Sequence, residues 1–531
     1  MVVLLAFRCY FLRSSCLHAE TMACSRAMIT CSPRAISFRP LPRGFVLVMG
    51  CIGMILAMIP ATMSGQTAGR TVQASATAVA AVHNDQVTAL DRYIAAPDTN
   101  YTYRLITSAQ TPTGTVNIFE MTSQSWLTTN EVNRTLWRHW LTVICPNEIL
   151  SSTGMLLITG GSNDKEIPNT PELALRRVDG NLVRMAVETK SVAAELHHVP
   201  NQPLIFGNDG QPRTEDSLIA YTWDKFLRTG DERWPARLPM TKAAVRAMDT
   251  VTRFCASSEG GGAKVDRFMV AGGSKRGWTT WTTAAVDPRV VAIVPIVIDV
   301  LHLEPSMSHH YAAYGFWAPA IHDYEQQHIM DWFGTPQNRA LARIEDPYEY
   351  RSRYTMPKLV LNDTGDQFFL PDSSQFYFDA LPGPKLLRYV PNTDHSMKGS
   401  DAWETVQAFY EYILSGTALP RYDWSFEKDG SIKVKAVDQP KEVNLWQATN
   451  PDARDFRLET LGPKWTSTPL ALNGGAYVGG VPEPAKGWTA FMLELTYDAP
   501  GNKTLKLTTA VRVVPDKTNF KFVPPRRSAS R

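Results

Sequence analysis

The stretch that decides the fold is Asp266-Arg-Phe-Met-Val-Ala-Gly-Gly-Ser274-Lys-Arg-Gly277-Trp-Thr-Thr-Trp-Thr-Thr-Ala-Ala285. It begins with a short apolar run that has the length and character of a buried strand, and the part after the glycines is predicted to be a helix. A serine on a sharp turn between a strand and a helix, with small residues where the backbones crowd, is a nucleophile elbow. The usual pattern is Gly-x-Ser-x-Gly, but here the last glycine is displaced by one position, to Gly277. A plain strand–helix junction is the alternative, and the rest of the chain decides between the two.

Apolar runs alternate with helical periodicity on both sides of this turn. Runs with strand character lie at residues 155–159, 290–300, 358–362 and 385–390, and helices are expected at 180–190, 215–228, 240–257, 376–381 and 402–415. Three β-branched and aromatic runs separated by turn residues come earlier, at 101–108, 115–125 and 136–146, and they predict an antiparallel start to the sheet. The alternation from 155 to 415 predicts a largely parallel sheet that is covered by helices on both faces.

Two later residues give Ser274 the partners that acyl transfer requires. Asp366 follows the strand predicted at 358–362, and His395 follows the strand predicted at 385–390. A hydrolase of this kind needs a nucleophile, a base that takes its proton and an acid that orients the base. In α/β-hydrolases the three occur in the order Ser, acid, His, each on a loop after a strand. The sequence therefore predicts an α/β-hydrolase fold with catalytic residues Ser274, Asp366 and His395.

The acid has rivals in the sequence. Asp363 and Asp372 flank Asp366, and Asp299 ends the preceding apolar run. Asp366 is favoured because it follows a glycine and precedes a turn that runs from aromatic residues to a proline. Asp394, next to His395 along the chain, is a poorer candidate.

Backbone N–H groups are expected to hold the oxyanion. The run at 155–159 ends in Gly160-Gly161, which predicts that the N–H of Gly161 approaches the developing negative charge. A glycine turn without catalytic duty is the alternative. The second donor is expected to be the N–H of Lys275, the residue after the nucleophile. The side chains of Lys275 and Arg276 either hold a carboxylate or oxyanion, or form an ion pair that steadies the start of the helix.

The remaining segments predict an insertion and a second domain. Residues 301–354 are rich in aromatic residues and His, and their place predicts a lid-like insertion in a hydrolase domain of residues 88–418, with plain core as the alternative. Past residue 420 the chain has short alternating runs and turn signals without helical stretches, and one of these runs is 456–459. This texture predicts an accessory all-β sandwich domain over residues 419–531.

The N-terminal residues differ in composition from the body. Of the 531 residues, the first 65 carry six Arg and one acidic residue, so the formal net charge of +3 becomes −2 without them. An uncharged apolar run, Phe45–Pro60, follows three arginines, and small polar residues come after it. These features predict a leader with a signal peptide over 1–65 and a loose entry segment over 66–87, and hence a secreted or periplasmic protein without a stable membrane span after cleavage. An uncleaved N-terminal anchor is the alternative.

Composition and residue spacing do not indicate nucleic acid, a metal or a cofactor as a partner of this chain. Hydrophobic residues make up 44% of the chain and charged residues 20%, as in soluble globular proteins, and the charge balance of the body does not indicate nucleic acid. Cys145 and Cys255 are the only cysteines after residue 51, and the sequence leaves their pairing open. The pairs His197-His198 and His309-His310 lack metal-ligand spacing with a third residue, so neither a metal nor a cofactor is expected.

Several longer motifs resemble the PhoPQ-activated pathogenicity-related protein family. They are Gly-Gly-Ser274-Lys-Arg-Gly-Trp-Thr-Thr-Trp, His309-His-Tyr-Ala-Ala-Tyr-Gly315, Gly365-Asp-Gln-Phe-Phe-Leu-Pro-Asp-Ser-Ser374, Tyr389-Val-Pro-Asn-Thr-Asp-His395 and Asn450-Pro-Asp-Ala-Arg-Asp-Phe-Arg457. The resemblance covers roughly residues 90–515, and it implies an exported bacterial protein with an α/β-hydrolase core. Members of the family commonly have Glu where Gln367 stands, a difference that is not expected to touch the triad. The family supplies a fold and no substrate.

The resulting expectation is an exported serine hydrolase of the esterase or peptidase type that acts on a small-molecule or peptide acyl substrate. The alternative from another class is a non-catalytic envelope protein that binds a peptide or polymer on a hydrolase scaffold. The complete order Ser, Asp, His favours the enzyme.

Overall fold

The structure is a computed structural model in which residues 87–525 are described, and these residues lie in one compact unit. Its central sheet consists of β1 (Thr102–Thr111), β2 (Gly114–Ser125), β3 (Leu136–Pro146), β4 (Thr153–Ile158), β5 (Ala193–Leu196), β6 (Arg267–Gly273), β7 (Val290–Ile296), β8 (Lys358–Asp363) and β9 (Lys385–Val390). The spatial order is β1-β2-β3-β5-β4-β6-β7-β8-β9. The strands from β1 to β3 and the β3–β5 pair are antiparallel, and all later pairs are parallel.

Helices cover both faces of this sheet. They are α1 (Ala89–Ala95), α2 (Pro171–Arg177), α3 (Gly180–Thr189), α4 (Glu215–Thr229), α5 (Arg237–Ala256), α6 (Lys275–Val286), α7 (Leu303–Tyr314), α8 (His322–Gln326), α9 (Pro336–Glu345) and α10 (Ala402–Ser415). Successive strand residues point to opposite faces. In β6, Val270 belongs to the core under α5 and α6, whereas Met269 and Ala271 belong to the core under α3 and α10. A mixed sheet with helices on both faces and a strand–Ser–helix turn after β6 is the α/β-hydrolase fold, which confirms the predicted fold class.

The insertion, residues 301–354, lies between β7 and β8. It contains α7, α8 and α9 together with the 3₁₀ turns Pro319–Ile321, Met330–Trp332 and Pro347–Arg353. β7 ends at Ile296, four residues before the apolar run does, because Val297 has a φ of 45° that breaks the extended backbone. The helix predicted at 376–381 is instead a pair of 3₁₀ turns, Ser373–Phe376 and Phe378–Ala380.

The C-terminal region is all-β apart from one short helix and a 3₁₀ turn at Pro500–Asn502. Its elements are β10 (Tyr422–Phe426), β11 (Ile432–Ala436), β12 (Glu442–Asn450), α11 (Leu458–Leu461), β13 (Thr466–Pro469), β14 (Tyr477–Gly479), β15 (Trp488–Ala499), β16 (Lys503–Thr508) and β17 (Arg512–Val514). One sheet has the order β10-β11-β14, and the other has the order β13-β12-β15-β16, with β17 also paired to β15. A Cβ added at Gly479 would lie 3.1–3.2 Å from the side chains of Leu493 and Leu445, so the two sheets pack face to face.

Two sequence predictions for this region need correction or stay open. The strand predicted at 456–459 is wrong, because the chain turns into α11 there, and the N–H of Leu458 bonds to the carbonyl of Gly365 in the hydrolase part at 2.9 Å. The domain boundary at 418/419 stays a prediction. The leader over 1–65 and nearly all of the entry segment fall outside the described residues. Among residues 87–525, no helix has the length and apolarity needed to cross a membrane.

Candidate active site

The backbone at Ser274 has the strained geometry of a nucleophile elbow. Ser274 stands between β6 and α6 with φ 56° and ψ −125°, values that a non-glycine residue rarely adopts. Its N–H donates to the carbonyl of Ile296 at 2.8 Å, which ties the turn to the neighbouring strand β7. The serine is half-buried at the carboxyl end of the strand. Strain of this kind collects at functional sites, and here the surrounding strands hold it in place.

Glycines are required at two positions of the turn, and they explain the displaced motif. A Cβ at Gly272 would lie 2.7 Å from the carbonyl oxygen of Arg276. A Cβ at Gly277 would lie 2.9 Å from two backbone oxygens, those of Gly272 and Ile296. Helix α6 thus comes closest to strands β6 and β7 at Gly277, one residue later than the last glycine of the pattern Gly-x-Ser-x-Gly would stand. The position that the common motif gives to glycine is occupied here by Arg276.

The two cations after the serine are both paired with acids at the start of α4. Arg276 holds Glu215 through two hydrogen bonds of 2.6 and 2.7 Å and also donates to the carbonyl of Val199. Lys275 Nζ lies 2.7 Å from Asp216 and 3.4 Å from Glu215. Burial alone would raise the pKa of Glu215, but Arg276 and Lys275 lower it to about 2. Of the two interpretations of these cations, the contacts match the ion pair that fastens the helix start.

His395 is held by Asp366 and leaves one nitrogen unbonded. The Nδ1 of His395 lies 2.8 Å from Asp366 Oδ2, and because a carboxylate only accepts, Nδ1 carries the hydrogen. Asp366 Oδ1 accepts the N–H groups of Phe368 and Phe369, which fix the carboxylate. Nε2 of His395 is buried without a hydrogen-bond partner among residues 87–525. A neutral imidazole in this state can accept a proton on Nε2.

The rival acids have other partners. Asp299 accepts hydrogen bonds from the hydroxyls of Tyr377 and Tyr389, and burial raises its pKa to about 8. Burial likewise raises the pKa of Asp363 well above its ordinary value. Asp372 binds His309 and Arg454, and although burial opposes ionisation, the Arg454 guanidinium and the contact with His309 hold its pKa far below the ordinary range. The side chain of Asp394 bonds to Ser396 and Gln367. The carboxylate that reaches the ring of His395 is that of Asp366.

Ser274 lines a cavity whose wall is almost entirely apolar. The insertion supplies several side chains of this wall, among them Met307, Met330 and Phe333, and the acid loop supplies Phe368 and Phe369. The Phe368 ring also packs against His395, with ring centroids 4.3 Å apart. Phe368 thereby connects the imidazole with the cavity that Ser274 lines.

Gly161 lies in the loop after β4, as the sequence suggested, but it does not line this cavity. Its φ is 130°, and an added Cβ would lie 2.6 Å from the ring of His198. Its carbonyl accepts a hydrogen bond from Gln202 at 2.8 Å. His198 borders a separate open cleft together with Asn163 and Lys165. The oxyanion roles of Gly161 and of the Lys275 N–H stay predictions.

Sequence reasoning missed one residue next to the base. Gln367 Oε1 accepts the backbone N–H of His395 at 3.2 Å, and Gln367 Nε2 donates to Asp394 at 3.3 Å. The expectation that this position does not touch the triad is therefore wrong. A residue adjacent to the acid along the chain carries no sequence signal of a bond to a loop 28 residues later, since only the fold brings the two together.

The histidines of the pair His309-His310 bond to other groups of the protein, and the two cysteines are unpaired. His309 binds Asp372, and His310 accepts the N–H of Ala318. Among the described residues no three His, Cys, Asp or Glu side chains are placed to hold a metal ion, and the expectation of no metal stays a prediction. Cys145 is half-buried and Cys255 buried, and both are free thiols.

Sequence comparison gives the chain relatives over most of its length. The profile of the PhoPQ-activated pathogenicity-related protein family matches residues 90–457. Autocrine proliferation repressor protein A of Dictyostelium discoideum is 37% identical over 463 residues, which cover 82% of this chain and 92% of that protein.

Solved structures give more distant likenesses. Acetyl xylan esterase 1 from Thermoanaerobacterium sp. JW/SL YS485 is 15% identical, with a TM-score of 0.40, over 62% of this chain and 92% of that chain. A mutant of the rice cell wall degrading esterase LipA from Xanthomonas oryzae is 12% identical, with a TM-score of 0.37, over 61% of this chain and 100% of that chain. The fold assignment rests on the strand order and the elbow, and not on these scores.

Proposed function

We propose that this chain, which belongs to the PhoPQ-activated pathogenicity-related protein family, is an exported serine hydrolase that forms an acyl-enzyme on Ser274. The observation that carries the proposal is the bond between His395 and Asp366 on loops after β9 and β8, combined with the strained elbow at Ser274 after β6. Export is supported by the apolar run Phe45–Pro60 and its basic flank.

In the first half-reaction, Ser274 Oγ attacks an acyl carbon while Nε2 of His395 takes its proton. Asp366 stabilises the imidazolium through Nδ1–H and keeps the ring in the required tautomer. The proton then passes from Nε2 to the leaving alcohol or amine. In the second half-reaction, water attacks the acyl carbon while Nε2 of His395 takes its proton. The bond between the acyl carbon and Ser274 Oγ then breaks, the proton passes from Nε2 to Oγ, and the free acid leaves.

The developing oxyanion is assigned to backbone donors. The N–H of Lys275 follows the nucleophile at the first residue of α6, where the unbonded N–H groups and the helix dipole favour negative charge. Gly161 is the proposed second donor. The side chains of Lys275 and Arg276 are occupied by Asp216 and Glu215, so their role is to hold the elbow rather than to meet the oxyanion.

Labelling by a fluorophosphonate probe tests the proposal, because such probes react with activated serines. Purified wild-type protein is expected to be labelled and to hydrolyse p-nitrophenyl acetate, and Ser274→Ala is expected to lose both properties while remaining folded by circular dichroism. Folded wild-type protein that stays unlabelled, or equal labelling of Ser274→Ala, would overturn the mechanism and leave the non-catalytic binding role.

A further inference from the structure

The lining of the cavity beside Ser274 limits which acyl groups can bind there. Its lining includes two charged side chains, Asp216 and Lys275, and these are paired with each other at 2.7 Å. The hydroxyl of Tyr324 donates to the other oxygen of Asp216, at 3.0 Å. The rest of the lining is aliphatic or aromatic apart from Ser274 itself. A charged acyl group entering this cavity would lose its water and find no free counter-ion.

The size of the cavity limits the length of the acyl group. Its volume is ≈ 50 Å³ for the centres of water-sized groups. This is about a third of the volume of a dry cavity of about 150 Å³ that admits benzene, so the space suits a short acyl chain rather than a long one. The walls include Trp278, Phe333 and Met330, all at most 5% exposed and packed in the core, so widening the cavity requires these side chains to move.

We infer that the enzyme is selective for short, uncharged, apolar acyl groups of about two to four carbon atoms. This inference rests on the proposed function, because it assigns the acyl side of the same site. Long-chain acyl groups exceed the volume of the cavity, and the second carboxylate of a dicarboxylic half-ester would find no free counter-ion beside the paired charges of Lys275 and Asp216.

A chain-length series of p-nitrophenyl esters tests this assignment. For the wild type, kcat/KM is expected to be highest between acetate and butyrate and to fall at least about tenfold for octanoate, since an apolar pocket discriminates between chain lengths by about 10–200-fold per misfit methylene. Met330→Ala removes three heavy atoms from the wall and is expected to shift the optimum to longer chains. Met356→Ala, the same change outside the cavity, is expected to leave the optimum in place.

Two outcomes separate this inference from the proposed function. Wild-type protein that hydrolyses octanoate or a hemisuccinate ester as fast as butyrate would overturn the acyl selectivity while the serine mechanism stands. Protein that neither reacts with the fluorophosphonate nor hydrolyses any ester would overturn the mechanism, and the acyl assignment with it.

A separate set of contacts links the C-terminal region to the loops of the acid and the base. The N–H of Leu458 donates to the carbonyl of Gly365, directly before Asp366. A Cβ at Gly365 would lie 2.7 Å from the carbonyl oxygen of Thr393 and 2.8 Å from Leu458, so Gly365 is enclosed between the base loop and the C-terminal region. At the other end of the acid loop, Arg454 binds Asp372 at 2.6 Å, and both side chains are at most 5% exposed.

The base loop has its own contact with this region. Asn392 stands three residues before His395 with φ 58°, a conformation that Asn tolerates better than most residues. Its side-chain amide forms two bonds of 2.9 Å to one residue, since Nδ2 donates to the carbonyl of Trp465 and Oδ1 accepts the N–H of Trp465.

We propose that residues 454–465, here called the loop clamp, hold Asp366 and His395 in register with Ser274. The clamp touches both ends of the acid loop and the start of the base loop, whereas the elbow is fixed by β6, β7 and α6. Asn392 and Arg454 are positioning residues, because they act through the loops and not on the substrate. This proposal also rests on the serine mechanism.

Asn392→Gly tests the clamp, because glycine keeps the positive φ and removes both bonds to Trp465. The variant is expected to lose about tenfold or more in kcat and in the rate of fluorophosphonate labelling, with KM for p-nitrophenyl acetate changed less than about twofold, since displaced catalytic groups lower kcat more than binding. Lys486→Ala breaks an exposed ion pair with Asp452 just before the clamp and serves as the matched control with unchanged kcat.

A second variant tests the loop clamp independently, in case Asn392→Gly does not fold. Arg454→Met removes the guanidinium while it fills most of the space, and it is expected to lower kcat in the same way in protein that melts cooperatively. If the wild type is labelled, and folded Asn392→Gly and Arg454→Met react at the wild-type rate, the clamp is overturned and the serine mechanism is retained.

Discussion

The proposed nucleophile and its two proposed partners are held in different ways. Ser274 is fixed by its neighbours in the chain and by backbone packing, since Gly272 and Gly277 let strand β6, helix α6 and strand β7 approach closely. Asp366 and His395 stand on loops that are fixed by side-chain bonds between residues far apart in the chain, namely Gln367 with His395, Asn392 with Trp465, and Asp372 with Arg454. The elbow therefore belongs to the core of the fold, and damage to it should appear as lost stability. The loops lie beyond the carboxyl ends of strands β8 and β9, and damage to them should appear as lost rate.

Removal of the base should have the largest effect on rate and a small effect on folding. His395→Ala is expected to lower kcat for p-nitrophenyl acetate at least about 10³-fold, because no other group takes the serine proton. Its free energy of unfolding in urea is expected to change by less than about 1.5 kcal/mol, since the ring is partly exposed and Nε2 makes no bond. His322→Ala, an exposed histidine of the insertion, is the control and should match the wild type. An active His395→Ala would remove this residue from the mechanism.

The acid can be distinguished from its buried neighbour by the same substitution at two sites. Asp366→Asn is expected to lower kcat about 10²–10³-fold, because an amide neither stabilises the imidazolium nor enforces its tautomer. Asp363→Asn is expected to change kcat less than about threefold, because burial and the neighbouring Asp366 raise the pKa of Asp363 and so favour the neutral form that Asn resembles. Steady-state kinetics of both variants checks this. Equal losses, or the larger loss at Asp363, would contradict the assignment of Asp366.

On the elbow side, two glycines four residues apart should respond differently to one added methyl group. Gly277→Ala is expected to lower the free energy of unfolding by about 2 kcal/mol, because its Cβ would lie 2.9 Å from two backbone oxygens. Gly273→Ala is expected to stay within about 0.5 kcal/mol, because its Cβ would meet nothing within 4 Å. Urea denaturation measures both. A stable Gly277→Ala would mean that the displaced glycine is not a packing requirement.

The buried carboxyl between the two regions should give a pH dependence of stability. The unfolded chain ionises Asp299 near its ordinary value, whereas burial raises the pKa in the folded state to about 8. The folded state therefore binds the extra proton between these values, so its stability is fully present below about pH 4 and falls as the pH rises towards 8. Between pH 5 and 8 the wild type is expected to lose about 3.5 kcal/mol more than Asp299→Asn. Parallel losses in the two proteins would refute this role of Asp299.

The parts of the structure that the sequence predicted are those set by local patterns in the chain. The strands β3 and β9 and the helix α10 have the predicted bounds, because their apolar periodicity is local and uninterrupted. The order of Ser274, Asp366 and His395 is likewise a property of the chain alone, and the bond between His395 and Asp366 agrees with it.

What the sequence could not provide depends on contacts between distant residues. The run at 456–459 alternates like a strand, but its bonds to Gly365 and within α11 make it a turn of helix. The sequence left two roles open for Arg276, and its pairing with Glu215 across 61 residues is visible only in the fold. The clamp contacts of Asn392 and Arg454 span 73 and 82 residues, distances over which no local pattern is informative.

The most direct test of the account is the residue that carries the covalent adduct. Full-length protein is treated with a fluorophosphonate, digested, and mapped by mass spectrometry, with the labelling rate measured for the wild type and for His395→Ala. The account predicts one adduct per chain, on Ser274, which forms at least about 10²-fold more slowly without His395. An adduct on a different residue, or labelling of Ser274 that does not depend on His395, would contradict it.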